Sequence, residues 1–332
     1  MTSLRQLASG LGLSTATVSR ALAGRSRVAP STRARILAAA AEAGCGAIRD
    51  RDGDGRSLVL VQGGFPLDRV TRIWLRGLHE GLGDGAANLG ARLLVVSGEA
   101  LTRAGGDAGA LARLAGCRPS AAVILGWNDP AGLARLEQSI PCVGVGGMTA
   151  AEPALNVEFD HHAAAEALVG HLHGLGHRRF ALITGNGPPR RETHRVGAVF
   201  AALHLHGLAA ADLAIIDTTA AQLVDRAVAA ALRSQATGWI ATTHALTVRT
   251  LRLLGRRGLA VPRAASVCGF LIDELDDELR LTGVRGPFKA VGRVAATQAL
   301  GLRDPGRPAC RLLLTGSFVV GRTCAPPPGW RT

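Results

Sequence analysis

The most informative side chains of the sequence lie near its start, in Leu13-Ser-Thr-Ala-Thr-Val-Ser-Arg-Ala-Leu22. The stretch reads as a short helix. Ser14 is an N-cap whose hydroxyl can accept from the first free backbone N–H groups. Val18 and Leu22, four residues apart, share one face. Thr15, Ala16, Ser19 and Arg20 lie off that face. Apart from the one arginine these side chains are short, so the helix can enter a DNA major groove closely. The elements that must position it flank it. Ser3-Leu-Arg-Gln6 is a capping box, and Leu4, Leu7 and Ala8 form the inner face of a first helix. Gly10-Leu-Gly12 supplies the sharp turn, where glycine tolerates positive φ. Pro30-Ser31 opens a third helix, with Ile36, Leu37 and Ala40 inward and Gly44 at its end. Three short helices with one arginine-bearing polar face make a minimal DNA-reading unit. The plainer alternative is an ordinary three-helix bundle.

Ala-Thr-Val-Ser-Arg at 16–20, the turn at Gly12 and the helix opening at Ser31 resemble the DNA-binding head of the lactose-repressor (LacI/GalR) family. The resemblance implies that Thr15, Ala16 and Arg20 face base edges. The chemistry agrees: arginine pairs bidentately with guanine, and an alanine or threonine methyl touches a thymine methyl. Ser14, Thr17 and Ser19 are placed to touch phosphates, which orient the head without specifying sequence. Arg25 and Arg33 are further candidate DNA contacts.

Charge supports this reading. The chain has 332 residues and a net charge of +13, which points to a polyanionic partner. Lys289 is the only lysine and tyrosine is absent, a compositional bias that spreads arginine everywhere. The distribution is more telling. Residues 1–49 hold seven arginines (5, 20, 25, 27, 33, 35, 49) against Glu42 alone, so charge is concentrated on the head. At 47% hydrophobic and 19% charged the chain reads as globular. No apolar run is long enough to span a membrane. No basic-plus-apolar leader precedes the first helix, so a cytoplasmic location is expected. The six cysteines (45, 117, 142, 268, 310, 324) have no metal spacing and read as small core residues in a reducing compartment.

Residues 45–56 form a polar, glycine-rich linker. From Ser57 short apolar runs alternate with amphipathic stretches. Strands are expected at Leu58–Val61, Arg92–Val96, Ala122–Leu125 and Cys142–Val145. A helix over His162–Leu175 follows, then strands at Phe180–Ile183, Leu213–Ile216, Gly238–Ala241 and Ala265–Phe270. Helices over Arg195–Leu205, Leu223–Leu232 and Leu246–Arg257 separate these strands. Such alternation means parallel sheets covered on both faces. Two successive doubly wound halves imply an α/β core of two lobes with a cleft, where ligands bind outside the carboxyl ends of strands.

Gly176–Gly185, Ala260–Phe270, Leu281–Pro287 and Leu314–Arg322 are similar to further landmarks of the family. The resemblance therefore implies an all-α helix-turn-helix head and a two-lobed, periplasmic-binding-protein-like core. Its boundaries are a head at 1–45, a linker at 46–56 and a core at 57–332. The N-lobe takes 57–159 and 288–314, the C-lobe 160–287 and 315–332. Chain crossings fall near Asp160, Pro287 and Thr315. No leucine heptad follows Pro328, so a homodimer is expected, which suits a two-fold operator.

Two regions depart from the family. Its hinge resembles Tyr-x-Pro-Asn-x-x-Ala-x-x-Leu, but here Cys45, Ala47 and Ile48 replace the Tyr, Pro and Asn, and no leucine follows before Leu58. Gly53 and Gly55 would each cost a hinge helix about 1 kcal/mol. In the effector site the resemblance places Arg195 on the effector-binding arginine, while the family's Asn-Asp becomes Thr243-His244 and its next Asp becomes Leu271. With two carboxylates gone and Arg190, Arg191, Arg195 and His244 nearby, the expected ligand is an anion, such as a sugar acid or a phosphorylated metabolite. The alternative is a degenerate cleft with no small effector.

The remaining signals are weak. His161-His162, His171-x-His173 and His204-x-His206 do not share helix faces within each pair, so structural or solvent-facing histidines are expected rather than metal ligands. Gly144-Val-Gly-Gly147 lacks the rest of a dinucleotide fingerprint. No catalytic constellation, metal or cofactor is expected. The overall reading is a DNA-binding transcriptional regulator of repressor type, with double-stranded operator DNA and a small molecule as partners. A solute-binding protein and an enzyme on the same scaffold are the rival classes.

Overall fold

The structure, a computed structural model, describes residues 8–22, 29, 32, 35, 36, 39, 55–64, 69–147, 152–185, 189–219, 221–272, 279–302 and 309–329. Helix α1, Thr15–Leu22, is the expected reading helix. Residues 8–10 are helical before it, and Gly12 turns the chain at φ +64°. Ser14 caps α1 as its residue type predicts: its Oγ accepts from the Thr17 amide at 3.1 Å. Ala8, Val18, Ala21 and Ile36 are buried together, with Leu11, Leu13 and Ala39 packed against them. The capping box at 3–6, the expected packing of Leu4, Leu7, Leu37 and Ala40, the helix opening at Pro30-Ser31, the stop at Gly44 and the linker up to residue 54 lie outside the described residues.

From Ser57 onward the chain builds two six-stranded sheets. In the first the order is β11-β5-β4-β3-β1-β2. Its strands are β1 Ser57–Gln62, β2 Arg92–Ser97, β3 Ala121–Leu125, β4 Cys142–Val145, β5 Leu155–Phe159 and β11 Cys310–Leu314. Strands β1 to β5 pair in parallel, with Leu58 opposite Leu93 and Ala121. In the second sheet the order is β12-β10-β9-β8-β6-β7. It comprises β6 Phe180–Thr184, β7 Leu213–Asp217, β8 Gly238–Ala241, β9 Ser266–Leu271, β10 Thr282–Arg285 and β12 Ser317–Val319. All its pairings are parallel except β10 with β12. Of the apolar runs that announced the strands, β1, β3, β6, β8 and β9 are covered on both faces, while β2 and β7 are partly exposed. Among the described residues no helix is long and apolar enough to cross a membrane.

Backbone contacts divide the chain into two compact units. One comprises Met1–Pro66, Arg76–Glu158 and Lys289–Leu312, the other Leu67–Leu75, Phe159–Phe288 and Leu313–Thr332. Helix α2, Arg69–Asn88, therefore contributes its first turns to one unit and the rest to the other.

Strand β5, Leu-Asn-Val-Glu-Phe, was not expected from the sequence because it buries two polar residues. Asn156 donates from Nδ2 to the Pro153 carbonyl at 2.6 Å, while its Oδ1 is buried without a hydrogen-bond partner among the described residues. Glu158 is charge-paired with Arg311 of β11, whose Nη1 lies 3.2 Å from its Oε1. The same neighbours explain Gly144 and Gly147, whose missing Cβ atoms leave room for the Asn156 and Glu158 side chains rather than for a nucleotide.

In the second unit the C-terminal tail is latched by a histidine. His177 is buried, with Nδ1 2.8 Å from the Thr237 hydroxyl. Its Nε2 lies 3.0 Å from both the Ser266 hydroxyl and the Ala325 carbonyl. Burial pulls its pKa down to about 4, the Ala325 bond opposing, so the folded protein holds a neutral ring. The unfolded chain binds a proton at its ordinary pKa, near 6.5, before the folded one does. Stability is therefore complete above pH 6.5 and is lost as pH falls toward 4, by about 3 kcal/mol from this residue. Urea unfolding between pH 4 and 7.5 should show this slope, and His177→Asn should flatten it. An unchanged slope would remove His177 as its source.

Candidate functional site

Two regions carry the residues singled out above. In the head, Thr15 is exposed and Thr17 half-buried on α1. The Ser14 and Thr17 hydroxyls bond each other at 2.8 Å, which orients both at the start of the helix. Arg35 reaches back from its Nη2 to the Leu11 carbonyl at 3.4 Å, tying the third helical segment to the turn. Ala16, Ser19 and Arg20 lie within α1, with side chains outside the description. Arg25 and Arg33 lie outside the described residues.

The second region is at the carboxyl edge of the second sheet. Strand β6 lies between β7 and β8, so strands are added to opposite sides of it. That reversal leaves a crevice beyond the strand ends, the usual place for a ligand in an open α/β sheet. Helix α7, Pro189–Leu205, begins there. It starts six residues before the expected Arg195, because Pro189 is well suited to a first helical position. The earlier start puts Glu192 and Arg195 three apart on one helical face.

Glu192 was missed by the sequence reading, which expected a lining free of acid. It sits at the junction of β6 and β8. Its Oε2 accepts from the Thr184 hydroxyl at 2.9 Å and the Thr242 hydroxyl at 2.5 Å. The Gly185 amide approaches the same oxygen at 3.4 Å. Glu192 is only 7% exposed, and its Oε1 is buried with no hydrogen-bond partner among the described residues. Arg195, 6% exposed, donates from Nη1 to the Thr242 carbonyl. Its Nε faces His161 Nδ1 at 3.4 Å, and its guanidinium lies 4.7 Å from the centre of the Phe270 ring. Phe159, His161 and Phe270 meet edge to face at 5.2–6.2 Å and form an aromatic wall.

Burial draws Arg195 down to about 9, with Arg191 adding and Glu192 opposing, so it stays cationic at neutral pH. Burial also lowers Arg191, again against Glu192. Its Nε is buried without a partner among the described residues. His161 is held neutral by burial first, then by Arg195 and Arg191. Three arginines and one glutamate thus gather on the first turns of α7.

The other expected site residues are placed less favourably. The Thr243 hydroxyl caps helix α9, His244–Gly255, accepting from the Leu246 amide at 3.2 Å. His244 is the first residue of that helix and is buried. Leu271 ends β9, buried beside Gly283 of β10. Arg190 is half-buried on the first turn of α7. No group of three or more His, Cys, Asp or Glu among the described residues could hold a metal ion.

Comparisons with known proteins agree with both regions. The profile "Bacterial regulatory proteins, lacI family" matches residues 3–44, and "Periplasmic binding protein-like domain" matches residues 169–324. No curated protein matches the sequence. Among solved structures, a lac repressor dimer bound to operator and the anti-inducer ONPF is similar at TM-score 0.65 and 20% identity, covering 97% of this chain and 99% of that one. A complex of the transcriptional regulator CelR with cellobiose matches at 0.62 and 21%, covering 97% and 100%. A LacI-family regulator from Enterococcus faecium with bound ribose matches at 0.62 and 19%, covering 82% and 99%. At these identities the structures speak for the fold. The chain thus carries a head of the lacI family of bacterial regulatory proteins at residues 3–44 and a periplasmic-binding-protein-like domain at residues 169–324.

Proposed function

We propose that this regulator is a dimeric repressor whose core binds an anionic, hydroxylated small molecule, either a sugar acid or a phosphorylated sugar. The observation that carries the ligand class is the pairing at the start of α7. Arg195 and Arg191 offer guanidinium donors in a dry site, where a carboxylate or phosphate is matched best. Beside them the buried Glu192 Oε1 has no hydrogen-bond partner among the described residues and can accept from a ligand hydroxyl. Leu271 offers no acid of its own. A neutral sugar would meet the arginines without a charge to answer them. Cellobiose and ribose in the related structures support a carbohydrate-like ligand, and the operator-bound dimer supports the assembly.

The head, 1–45, would read the operator through Thr15, Ala16 and Arg20, with Ser14, Thr17, Ser19, Arg25 and Arg33 on phosphates. The linker, 46–56, carries the two lobes of the core at 57–332. Ligand binding would change the population of the DNA-competent state. Arg20→Ala should cost about 1–3 kcal/mol of specific binding and relax preference at one base position. Gel shifts against genomic fragments at moderate salt, followed by the same shifts with the variant, check this. Operator preference unchanged in Arg20→Ala would refute the assignment.

A second reading has its own support. Arg195 is already bonded to the Thr242 carbonyl and stacked on Phe270, as a purely structural arginine would be. A thermal-shift screen in which no carbohydrate, acid or phosphate moves the melting temperature would favour that reading over the effector site.

A further inference from the structure

Two cysteines of the second unit meet where the C-terminal tail docks. Residues 323–325 run beside the start of β9: the Val267 amide donates to the Thr323 carbonyl at 2.8 Å, and the Thr323 hydroxyl returns a bond to the Val267 carbonyl at 2.6 Å. The Ala325 amide donates to the Ser266 hydroxyl at 2.9 Å. This docking places Cys324 against the same apolar cluster that contains Cys268, fully buried on β9. The Cys324 thiol lies 3.4 Å from the carbonyl of Val267, the residue before Cys268. His171, on helix α6 (His161–Gly174), lies near enough to act on Cys324 electrostatically and lays its ring 5.0 Å from Phe318.

We propose that Cys268 and Cys324 are a peroxide-oxidisable dithiol, with Cys324 as the attacking sulfur and Cys268 as the resolving one, whose disulfide bonds the C-terminal tail to β9. The asymmetry of the pair supports these roles. Cys324 is partly exposed and Cys268 is buried. The Cys324 thiol is drawn below its ordinary value by hydrogen bonding with Cys268 first, against burial, with His171 and Thr282 adding. Burial and the same contact push Cys268 well up, so it keeps its proton. Cys142, by contrast, is pushed up by burial with Glu137 adding, as expected of an inert core thiol.

The chemistry balances with a hydroperoxide as oxidant. The Cys324 thiolate attacks one peroxide oxygen, forming an S–O bond as the O–O bond breaks and hydroxide or alkoxide leaves. That base takes the proton of Cys268. The Cys268 thiolate then attacks the Cys324 sulfur, forming S–S as hydroxide leaves and is protonated from solvent. Two electrons pass from the thiols to the peroxide, and a dithiol reductant reverses the step.

The test treats reduced full-length protein with stoichiometric hydrogen peroxide, blocks residual thiols with N-ethylmaleimide and maps tryptic peptides without reduction. The expected product joins residues 264–280 to residues 323–331 and disappears on reduction. Dominant pairing through Cys45, Cys117 or Cys310 would overturn the proposal, as would Cys324 remaining a free thiol while other cysteines oxidise. Cys268→Ser should leave a Cys324 sulfenic acid that dimedone traps, and Cys324→Ser should leave Cys268 unoxidised. His171→Phe keeps a ring against Phe318 and should slow alkylation of Cys324 at pH 7 by about tenfold through its smaller thiolate fraction. An unchanged rate would take His171 out of the site.

Discussion

A sugar acid should raise the melting temperature of the wild-type protein and leave that of Arg195→Ala unmoved. At 100 times its Kd the ligand stabilises the folded state by about 2.7 kcal/mol. Each charge-assisted hydrogen bond from the guanidinium contributes about 1.5–3 kcal/mol. Losing two of them weakens binding by about a hundredfold or more, enough to remove the shift at the same concentration. The substitution also acts on the unliganded protein, because it strips the Thr242 carbonyl of a donor and leaves the buried Glu192 charge with Arg191 as its one cationic neighbour instead of two. The comparison is therefore the ligand-induced shift within each protein, not the melting temperatures themselves. Glu192→Gln separates the two halves of the site. It should weaken a hydroxylated anion, whose hydroxyl loses a charged acceptor. It should leave inorganic phosphate as tight or tighter, because a repelling charge has gone. Neutral sugars shifting the wild type as well as their acids do, or Arg195→Ala retaining the full shift, would refute the anion reading.

Strands β1 to β4 and β6 to β9 were legible because buried parallel strands are short continuous apolar runs, as Leu58–Val61 and Phe180–Ile183 are, whereas β10, β11 and β12, three to five residues long and glycine-broken or partly exposed, were not. Strand β5 was not, because Asn156 and Glu158 interrupt its apolar pattern, and only Pro153 and Arg311, distant in pattern or in sequence, make their burial tolerable. The reading helix was legible from its cap and its Val18 face, both of which depend on residues within one turn. Glu192 was hidden for a different reason. Arg190-Arg191-Glu192-Thr193-His194-Arg195 looks like a solvated charge run. Its burial depends on where α7 starts and on which strand ends it faces. Two local signals pointed there: Pro189 as a helix start, and hydroxyl residues directly after two apolar strands, at Thr184 and Thr242. A threonine at the carboxyl end of a buried strand has a donor to satisfy, and here both are satisfied by one carboxylate. Thr243 shows the converse. Its position in the chain matched a site residue, but its hydroxyl is used as a helix cap.

Gly292→Ala should destabilise the first unit, while Gly83→Ala, a chemically identical change on a facing helix, should stabilise it. Helix α2 and helix α10, Phe288–Gly301, meet backbone to backbone. A Cβ on Gly292 would lie 2.3 Å from the Leu78 carbonyl oxygen and 2.8 Å from the Leu82 amide. From the other side, a Cβ on Gly81 would lie 1.9 Å from the Lys289 carbonyl oxygen. No rotamer relieves such a contact, because both partners are main chain. The helices must separate, and Leu78, Leu82, Val291 and Ala295, all buried at that contact, lose packing with them. Overpacking of this kind costs about 1–3 kcal/mol, against which alanine recovers at most about 1 kcal/mol of helix propensity. The exposed ion pairs from Lys289 to Asp84 and Glu80, at 3.2 and 3.8 Å, contribute too little to hold the helices together. Gly83 has nothing within 4 Å of its Cβ position, so there the propensity gain of about 0.5–1 kcal/mol stands alone. Urea unfolding of the two variants should move the midpoints in opposite directions. Both moving the same way would mean that α2 and α10 pack further apart than these contacts require.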